Sequence, residues 1–128
     1  MKKTLVASAA ITMLTATAYA EVNIGNPMAM TGPIPDLVAP IAQAVDLAAK
    51  HINDQGGMFG DGEAFNIIRA DSACDPTTAV DAVTKLINVS NVSAILGPVC
   101  SGATIAQAES VSMPAGVLTL SVLSLIHI

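Results

Sequence analysis

The chain has 128 residues, a length typical of one domain, and 52% of them are hydrophobic while only 2% are aromatic. Its formal net charge is −5, and without Lys2 and Lys3 it becomes −7, because three basic side chains then face ten acidic ones. An acidic chain with so few lysines excludes binding to nucleic acid or to an anionic membrane surface through a basic field.

Residues 1–20 have the three parts of a secretory signal peptide. Two lysines follow Met1, a small and apolar stretch runs from Thr4 to Thr17, and Ala18-Tyr19-Ala20 forms a small-x-small cleavage site. A membrane anchor is the alternative, but the apolar run is short for a span. We therefore predict an exported chain that begins at Glu21, with no direct membrane insertion after cleavage.

The first strand and helix follow the cleavage site. Residues 21–27 alternate between apolar and polar side chains, as in a strand, and residues 28–35 form a loop with Thr31-Gly32-Pro33. The helix after it is predicted to start near Val38 or Ala39, because Pro40 fits best in a first turn, and to end at Gly56-Gly57. Asp46 and Lys50 are spaced for an i,i+4 ion pair on its outer face.

The rest of the chain repeats this alternation. Strands are predicted over residues 65–70, 92–96 and 116–121; Asp75-Pro76 opens the second helix, and Ser101 caps the third, which ends at Met113-Pro114. Short connections between alternating strands and helices predict an α/β fold with a doubly wound parallel sheet.

Four candidate ligand-binding residues follow from this topology, since ligands lie outside the carboxyl ends of parallel strands. Ser101 either only caps its helix or also contacts a carboxylate. Thr104, one turn later, faces the same spot or points to solvent. Asp71 either accepts an ammonium group or is a solvated carboxylate. Thr31 is either a ligand contact or part of a local turn.

Cys74 and Cys100 are the two cysteines of the chain. In an exported protein they form either a disulfide or, in a compartment that oxidises incompletely, two free thiols. No metal site is expected, because neither has a histidine at ligand spacing. No cofactor is expected either: there is no phosphate-binding loop, and residues 97–102 lack the second glycine of the dinucleotide fingerprint.

A secreted α/β hydrolase with Ser101 or Cys100 as nucleophile is the enzymatic alternative. The sequence around Ser101 lacks the leading glycine of a nucleophile elbow, and a general base would have to be His51 or His127. A non-enzymatic binding protein is therefore favoured.

Four motifs carry a family resemblance: Ala29-Met30-Thr31-Gly32-Pro33, Ile52-Asn53-Asp54-Gln55-Gly56-Gly57, Ala73-Cys74-Asp75-Pro76 and Leu96-Gly97-Pro98-Val99-Cys100-Ser101. With these motifs the chain resembles the leucine/isoleucine/valine-binding family of periplasmic proteins, the solute receptors of branched-chain amino-acid ABC importers. The resemblance implies the type I fold, in which two α/β lobes close over an amino acid, and a membrane permease as partner. It also implies a Cys74–Cys100 disulfide, a role for Ser101 in holding the α-carboxylate, and Thr104 as a neighbour of that contact.

The resemblance has two departures. Leu37 stands where an aromatic residue often covers the ligand, which leaves open whether the solute is a branched-chain amino acid or an amide, urea or aromatic acid. The pattern spans residues 21–121, which are therefore predicted to be a partial N-terminal lobe of a truncated protein. The tail, residues 122–128, is unmatched, and Leu123-Ser124-Leu125-Ile126-His127-Ile128 resembles a translated sequencing adapter. A natural apolar strand end is the alternative for the tail, and an extracellular ligand-sensing domain is the alternative function.

Overall fold

The computed structural model describes residues 21–58, 60 and 62–123. The predicted signal peptide over residues 1–20, His127 and most of the unmatched tail lie outside these residues. Four strands alternate with helices: β1 (Glu21–Met28), α1 (Pro35–Asp54), β2 (Ala64–Asp71), α2 (Pro76–Asn88), β3 (Ala94–Leu96), α3 (Ser101–Gln107) and β4 (Leu118–Leu120). A π-helical turn, Ala108–Ser112, extends α3.

All strand pairs are parallel, and the strand order is β2-β1-β3-β4. The predicted α/β fold with a doubly wound parallel sheet is confirmed. The strands are parallel because the helix after each strand brings the chain back to the amino edge of the sheet, where the next strand begins. As a result, the loops after β1, β2, β3 and β4 all leave the sheet at its carboxyl edge.

Two apolar clusters cover the two faces of the sheet. On one face α2 packs with Val83 and Leu86 against Val92 and Ile95, and Ile68 of β2 adds to this cluster. On the other face Val38 of α1 packs against Met28, Ala29 and Val99. Because strand side chains alternate between faces, Ile67 lines the α1 side while its neighbour Ile68 packs on the α2 side.

The α1 side is only partly covered. An apolar groove of about 380 Å³ separates α1 from the sheet, and Leu96 of β3 lines it together with Ile67. Further along this face Leu118 and Leu120 of β4 are exposed at 72% and 62%. The register pairs Leu96 with Leu120 and Ala94 with Leu118, so these two leucines lie on the same face of the sheet as the groove.

The prediction that α1 starts near Val38 or Ala39 is wrong. The helix begins at Pro35, whose fixed φ suits the first helical position, and Pro40 lies in the second turn. Pro40 is exposed, and because proline has no amide hydrogen the helix gives up one backbone hydrogen bond there. The predicted Asp46–Lys50 pair is also wrong, because Lys50 pairs with Asp54 and Asp46 pairs with Arg69 of β2.

None of the helices in the described part of the chain combines the length and the apolar character that a membrane crossing requires.

Candidate ligand-binding site

The carboxyl edge of the sheet collects the residues that the sequence singled out. Asp71 is the last residue of β2, Ser101 is the first residue of α3, and Ser121 follows β4 directly. Thr31 lies in the loop between β1 and α1. The structure thus brings these residues to one edge, while their contact with a ligand stays a prediction.

The prediction that Ser101 caps α3 is wrong. Cys100 occupies the N-cap position with extended backbone angles (φ −82°, ψ 130°) and makes no side-chain capping bond. The reason is that the carbonyl of Cys100 accepts the first intrahelical bond, from the amide of Thr104 at 2.9 Å. Ser101 is therefore already helical, and its half-buried side chain stands on the first turn of the helix rather than before it.

Thr104 directs its hydroxyl inward, to the backbone. Its Oγ1 lies 3.1 Å from the carbonyl oxygen of Pro98 and 3.0 Å from that of Cys100. The hydroxyl of Ser121 donates to the same Pro98 carbonyl at 2.8 Å. A hydroxyl has one proton, so Thr104 could donate to a ligand carboxylate only by exchanging its present bond.

Asp71 and Thr31 are bonded to each other. Thr31 Oγ1 donates to Asp71 Oδ2 at 2.6 Å, and the amides of Met30, Thr31 and Ala73 converge on Oδ1 at 3.0, 3.3 and 2.9 Å. Burial alone would raise the pKa of Asp71, but the Thr31 hydroxyl and the three amides outweigh it and lower that pKa below its usual value. The Asp71 carboxylate therefore stays charged at a lower pH than an ordinary aspartate does.

A disulfide joins Cys74 to Cys100, with a Cα–Cα distance of 5.3 Å, so the predicted disulfide is confirmed. Cys74 and the residue before it, Ala73, both have positive φ angles, 57° and 48°. The bond fastens the loop after β2 to the residue that precedes Ser101. Three loops at the carboxyl edge are thereby connected. Asp71 joins the loop after β1 to the loop after β2, and the disulfide joins the loop after β2 to the loop after β3.

A buried polar network that the sequence analysis missed lies just below this edge. Asn26 of β1 is fully buried, and its amide nitrogen donates to the carbonyl of Leu96 in β3. Arg69 of β2 donates to the Asn26 side-chain oxygen and to the carbonyl of Ala42, each at 2.6 Å. The sequence carries no distinct signal for this pair, because both strands contain other polar residues as well, such as Asn23 and Asn66. The network crosses three strands and holds the end of β3, from which the chain leads to Ser101.

The hydrolase alternative needs a histidine near Ser101 as general base, and His51 does not lie there. His51 lies in the last turn of α1, close to Asn53, which exchanges two hydrogen bonds with the backbone of Phe65 near the start of β2. Phe65 and Asp71 are separated by about 20 Å along the strand at 3.3 Å per residue. His51 therefore lies toward the amino edge of the sheet, opposite Ser101.

Two further features bear on the site. A groove of about 420 Å³ lies beside β2 and α2, and its lining includes Asp71, Thr78 and Lys85 but neither Ser101 nor Thr104. Within residues 21–58, 60 and 62–123, no three histidine, cysteine or acidic side chains are grouped so that they could hold a metal ion. The candidate site is thus an open edge of hydroxyl and backbone groups.

Comparison with known proteins identifies the family. Residues 21–126 match the sequence profile of the family described as periplasmic binding protein. Over 119 residues the chain is 34% identical to the Leu/Ile/Val-binding protein homolog 7 of Brucella suis, an alignment that covers 91% of this chain and 29% of that relative.

Solved structures agree with this match. The branched-chain amino acid transporter substrate binding protein LivJ from Streptococcus pneumoniae, in complex with isoleucine, superposes with a TM-score of 0.75 at 29% identity, covering 81% of this chain and 29% of that one. A fatty acid ABC transporter substrate-binding protein from Thermomonospora curvata gives a TM-score of 0.68 at 26% identity, covering 80% of this chain and 25% of that one.

The chain spans less than a third of the length of these relatives. Most of its own length is nevertheless matched, and its parallel sheet superposes on theirs. The chain belongs to the periplasmic binding protein family, and its homologues include Leu/Ile/Val-binding proteins and substrate-binding proteins of ABC transporters.

Proposed function

We propose that the chain forms one ligand-binding lobe of a periplasmic solute-binding protein, which delivers a branched-chain or related amino acid to the permease of an ABC importer. The observation that carries this proposal is the likeness to the isoleucine complex of the Streptococcus pneumoniae protein, at 29% identity over 81% of this chain. Export through a signal peptide over residues 1–20 is part of the proposal.

Ser101 is the proposed contact for the ligand's α-carboxylate. It lies at the carboxyl edge, where ligands of open parallel sheets bind, and the disulfide fastens the residue before it to the loop after β2. A serine hydroxyl can donate to a carboxylate, and such charge-assisted bonds are the stronger ones. Direct ligand contacts of Thr104, Thr31 and Asp71 also stay predictions; the hydroxyls of both threonines would have to exchange the bonds that they make within the protein.

The second wall of the site is proposed to come from a second lobe. Two-lobed receptors gain affinity by closing around the ligand, and this edge alone would leave the ligand half in water. The homologues are substrate-binding proteins of ABC transporters, so the proposed role is to hold and release the solute unchanged. Leu37, exposed at 53% in the first turn of α1, is the proposed apolar contact for the ligand side chain.

Isothermal titration calorimetry of the whole encoded protein with leucine, isoleucine, valine, phenylalanine and urea tests this proposal. We expect heat with at least one branched-chain amino acid and no chemical change of the ligand. Loss of a hydrogen bond to a charged group is worth about 1.5–3 kcal/mol, so Ser101→Ala should raise Kd by about 10- to 100-fold.

Ser110→Ala is the matched control, because Ser110 is an exposed serine in the π-helical turn that extends α3. It should leave Kd unchanged. Binding of a non-amino-acid solute alone would overturn the specificity, turnover of the ligand would overturn the class, and an unaltered Kd in Ser101→Ala would overturn the role of Ser101.

A further inference from the structure

We propose that Asp71 is a positioning residue: it joins the loop after β1 to the loop after β2 and, through the disulfide, sets the place of Ser101. The inference rests on the proposed function only in taking the carboxyl edge as the binding edge. It gives Asp71 a different role from the acceptor of a ligand ammonium group.

Asp71 accepts four hydrogen bonds, and they connect two loops of the carboxyl edge. Three of its donors, the amides of Met30 and Thr31 and the Thr31 hydroxyl, come from a loop 40 or 41 residues earlier in the chain. The fourth donor is the amide of Ala73, two residues later. One carboxylate thus binds both loops at once, because each of its two oxygens can accept more than one hydrogen bond.

The backbones of the two loops also touch, which is independent evidence that they form a unit. Gly32 has a φ of +92°, and a Cβ on it would lie 2.4 Å from the carbonyl oxygen of Ala73, so only glycine allows the approach. The amide of Ser72 donates to the carbonyl of Met28 at 2.8 Å. The two loops are therefore in direct backbone contact, and Asp71 bridges them beside that contact.

The disulfide carries the constraint onward to Ser101. Ala73 and Cys74 adopt a left-handed backbone that non-glycine residues seldom adopt, and the bond from the Ala73 amide to Asp71 holds this turn. Cys74 is bonded to Cys100, the N-cap of α3, and Ser101 is the next residue. Releasing Asp71 would free the turn, and the freed turn would carry Cys100 and Ser101 with it.

The discriminating experiment combines Asp71→Ala and Asp71→Asn with Asp75→Asn as matched control. Asp75 is four residues away and loses the same charge, but its side chain accepts only local bonds from Thr78 at the start of α2, which asparagine can also accept. Amide hydrogen exchange is measured in the ligand-free protein at Thr31, whose amide donates to Asp71, and at Thr104, whose amide donates to the carbonyl of Cys100 beside Ser101. Kd is measured by calorimetry.

Asp71→Ala should speed exchange at both amides by at least tenfold and raise Kd. Asp71→Asn keeps an oxygen for the three amides, so it should restore both quantities to within about threefold of the wild type, although it has no charge. Asp75→Asn should change neither. An asparagine variant that exchanges like the wild type but binds as poorly as the alanine variant would show a direct ammonium contact and overturn the proposal.

Thr31→Val serves if Asp71→Ala does not fold, because it removes only the bond to Oδ2. It should speed exchange at the Thr104 amide when the disulfide is intact and have no such effect in the Cys74→Ser, Cys100→Ser background. An equal effect in both backgrounds would overturn the relay. Since exchange needs no ligand, absence of amino-acid binding with the expected exchange pattern would defeat the proposed function alone.

Discussion

The half of the sheet with β1 and β2 (the β2 side) and the half with β3 and β4 (the β4 side) are held by different contacts. β1 and β2 pair over their full eight residues, from Glu21 with Ala64 to Met28 with Asp71. Side chains add to this ladder: Arg69 bonds to Asn26, and Asp71 bonds to the loop beyond β1. β3 and β4 pair over three residues, and the chain after them is held by the Ser121 hydroxyl on the Pro98 carbonyl.

The difference teaches where the geometry of the binding edge comes from. On the β2 side, polar side chains reach across strands and loops, so the positions of Thr31, Asp71 and Cys74 depend on one another. On the β4 side, Leu118 and Leu120 are largely exposed, although strands of parallel sheets are usually covered on both faces. Substitutions on the β2 side should therefore alter the candidate ligand-binding site or the stability of the fold. Substitutions at the exposed leucines of β4 should instead alter self-association of the chain.

Removal of the disulfide should have the largest effect on the β2 side. Cys74 and Cys100 are 26 residues apart, and closing a loop of that size contributes about 3–4 kcal/mol in the chain-entropy account. The variant with Cys74→Ser and Cys100→Ser should lose that much unfolding free energy in urea titrations. Wild-type protein under reducing conditions is the control and should match the variant; a loss below about 1 kcal/mol would show that the polar contacts suffice.

Removal of Arg69 should cause the second-largest loss of unfolding free energy. Arg69→Met leaves the buried side-chain oxygen of Asn26 without its donor and removes an additional bond to the carbonyl of Ala42, which costs about 2–3 kcal/mol. Lys50→Met is the control, because the Lys50–Asp54 pair is exposed, at 67% and 58%, and such pairs contribute only about 0.2–1 kcal/mol. Equal shifts of the two urea midpoints would contradict the importance of the network.

Substitution on the β4 face should have the smallest effect on stability. Leu118→Thr keeps a residue suited to strands and should change the unfolding free energy by less than about 0.5 kcal/mol. It should reduce self-association in sedimentation velocity runs, because an exposed apolar strand at a sheet edge promotes pairing between chains. Leu47→Gln, at an exposed leucine of α1, is the control; an equal reduction there would remove the special role of β4.

Sequence patterns predicted the fold wherever one local rule dominated. The alternation in residues 21–27 and the Asp75-Pro76 helix start agree with β1 and with α2, in which Asp75 is the N-cap. The shared edge of Asp71 and Ser101 followed from the alternation of strands and helices. The pairing of the two cysteines followed from their number and from the family resemblance, and the structure confirms it.

Contacts between distant segments could not be predicted in this way. Asp46 pairs with Arg69 and not with Lys50, because β2 packs against α1. The spacing of residues in the sequence does not indicate this packing. The bond between Asn26 and Arg69 depends on the register of β1 and β2, which places the two residues side by side and which the sequence alone does not give. The N-cap of α3 shifted by one residue because the backbone carbonyl of Cys100, and not the best capping side chain, accepts the first bond.

The disulfide has a consequence for the fate of a cleaved chain. The covalent ring from Cys74 to Cys100 contains all of α2 and β3 and includes the exposed turn at Val89. A protease that cut this turn would leave two fragments still joined through sulfur. They would migrate as one species on a non-reducing gel and as two after reduction, so a single nick would not release either half of the sheet.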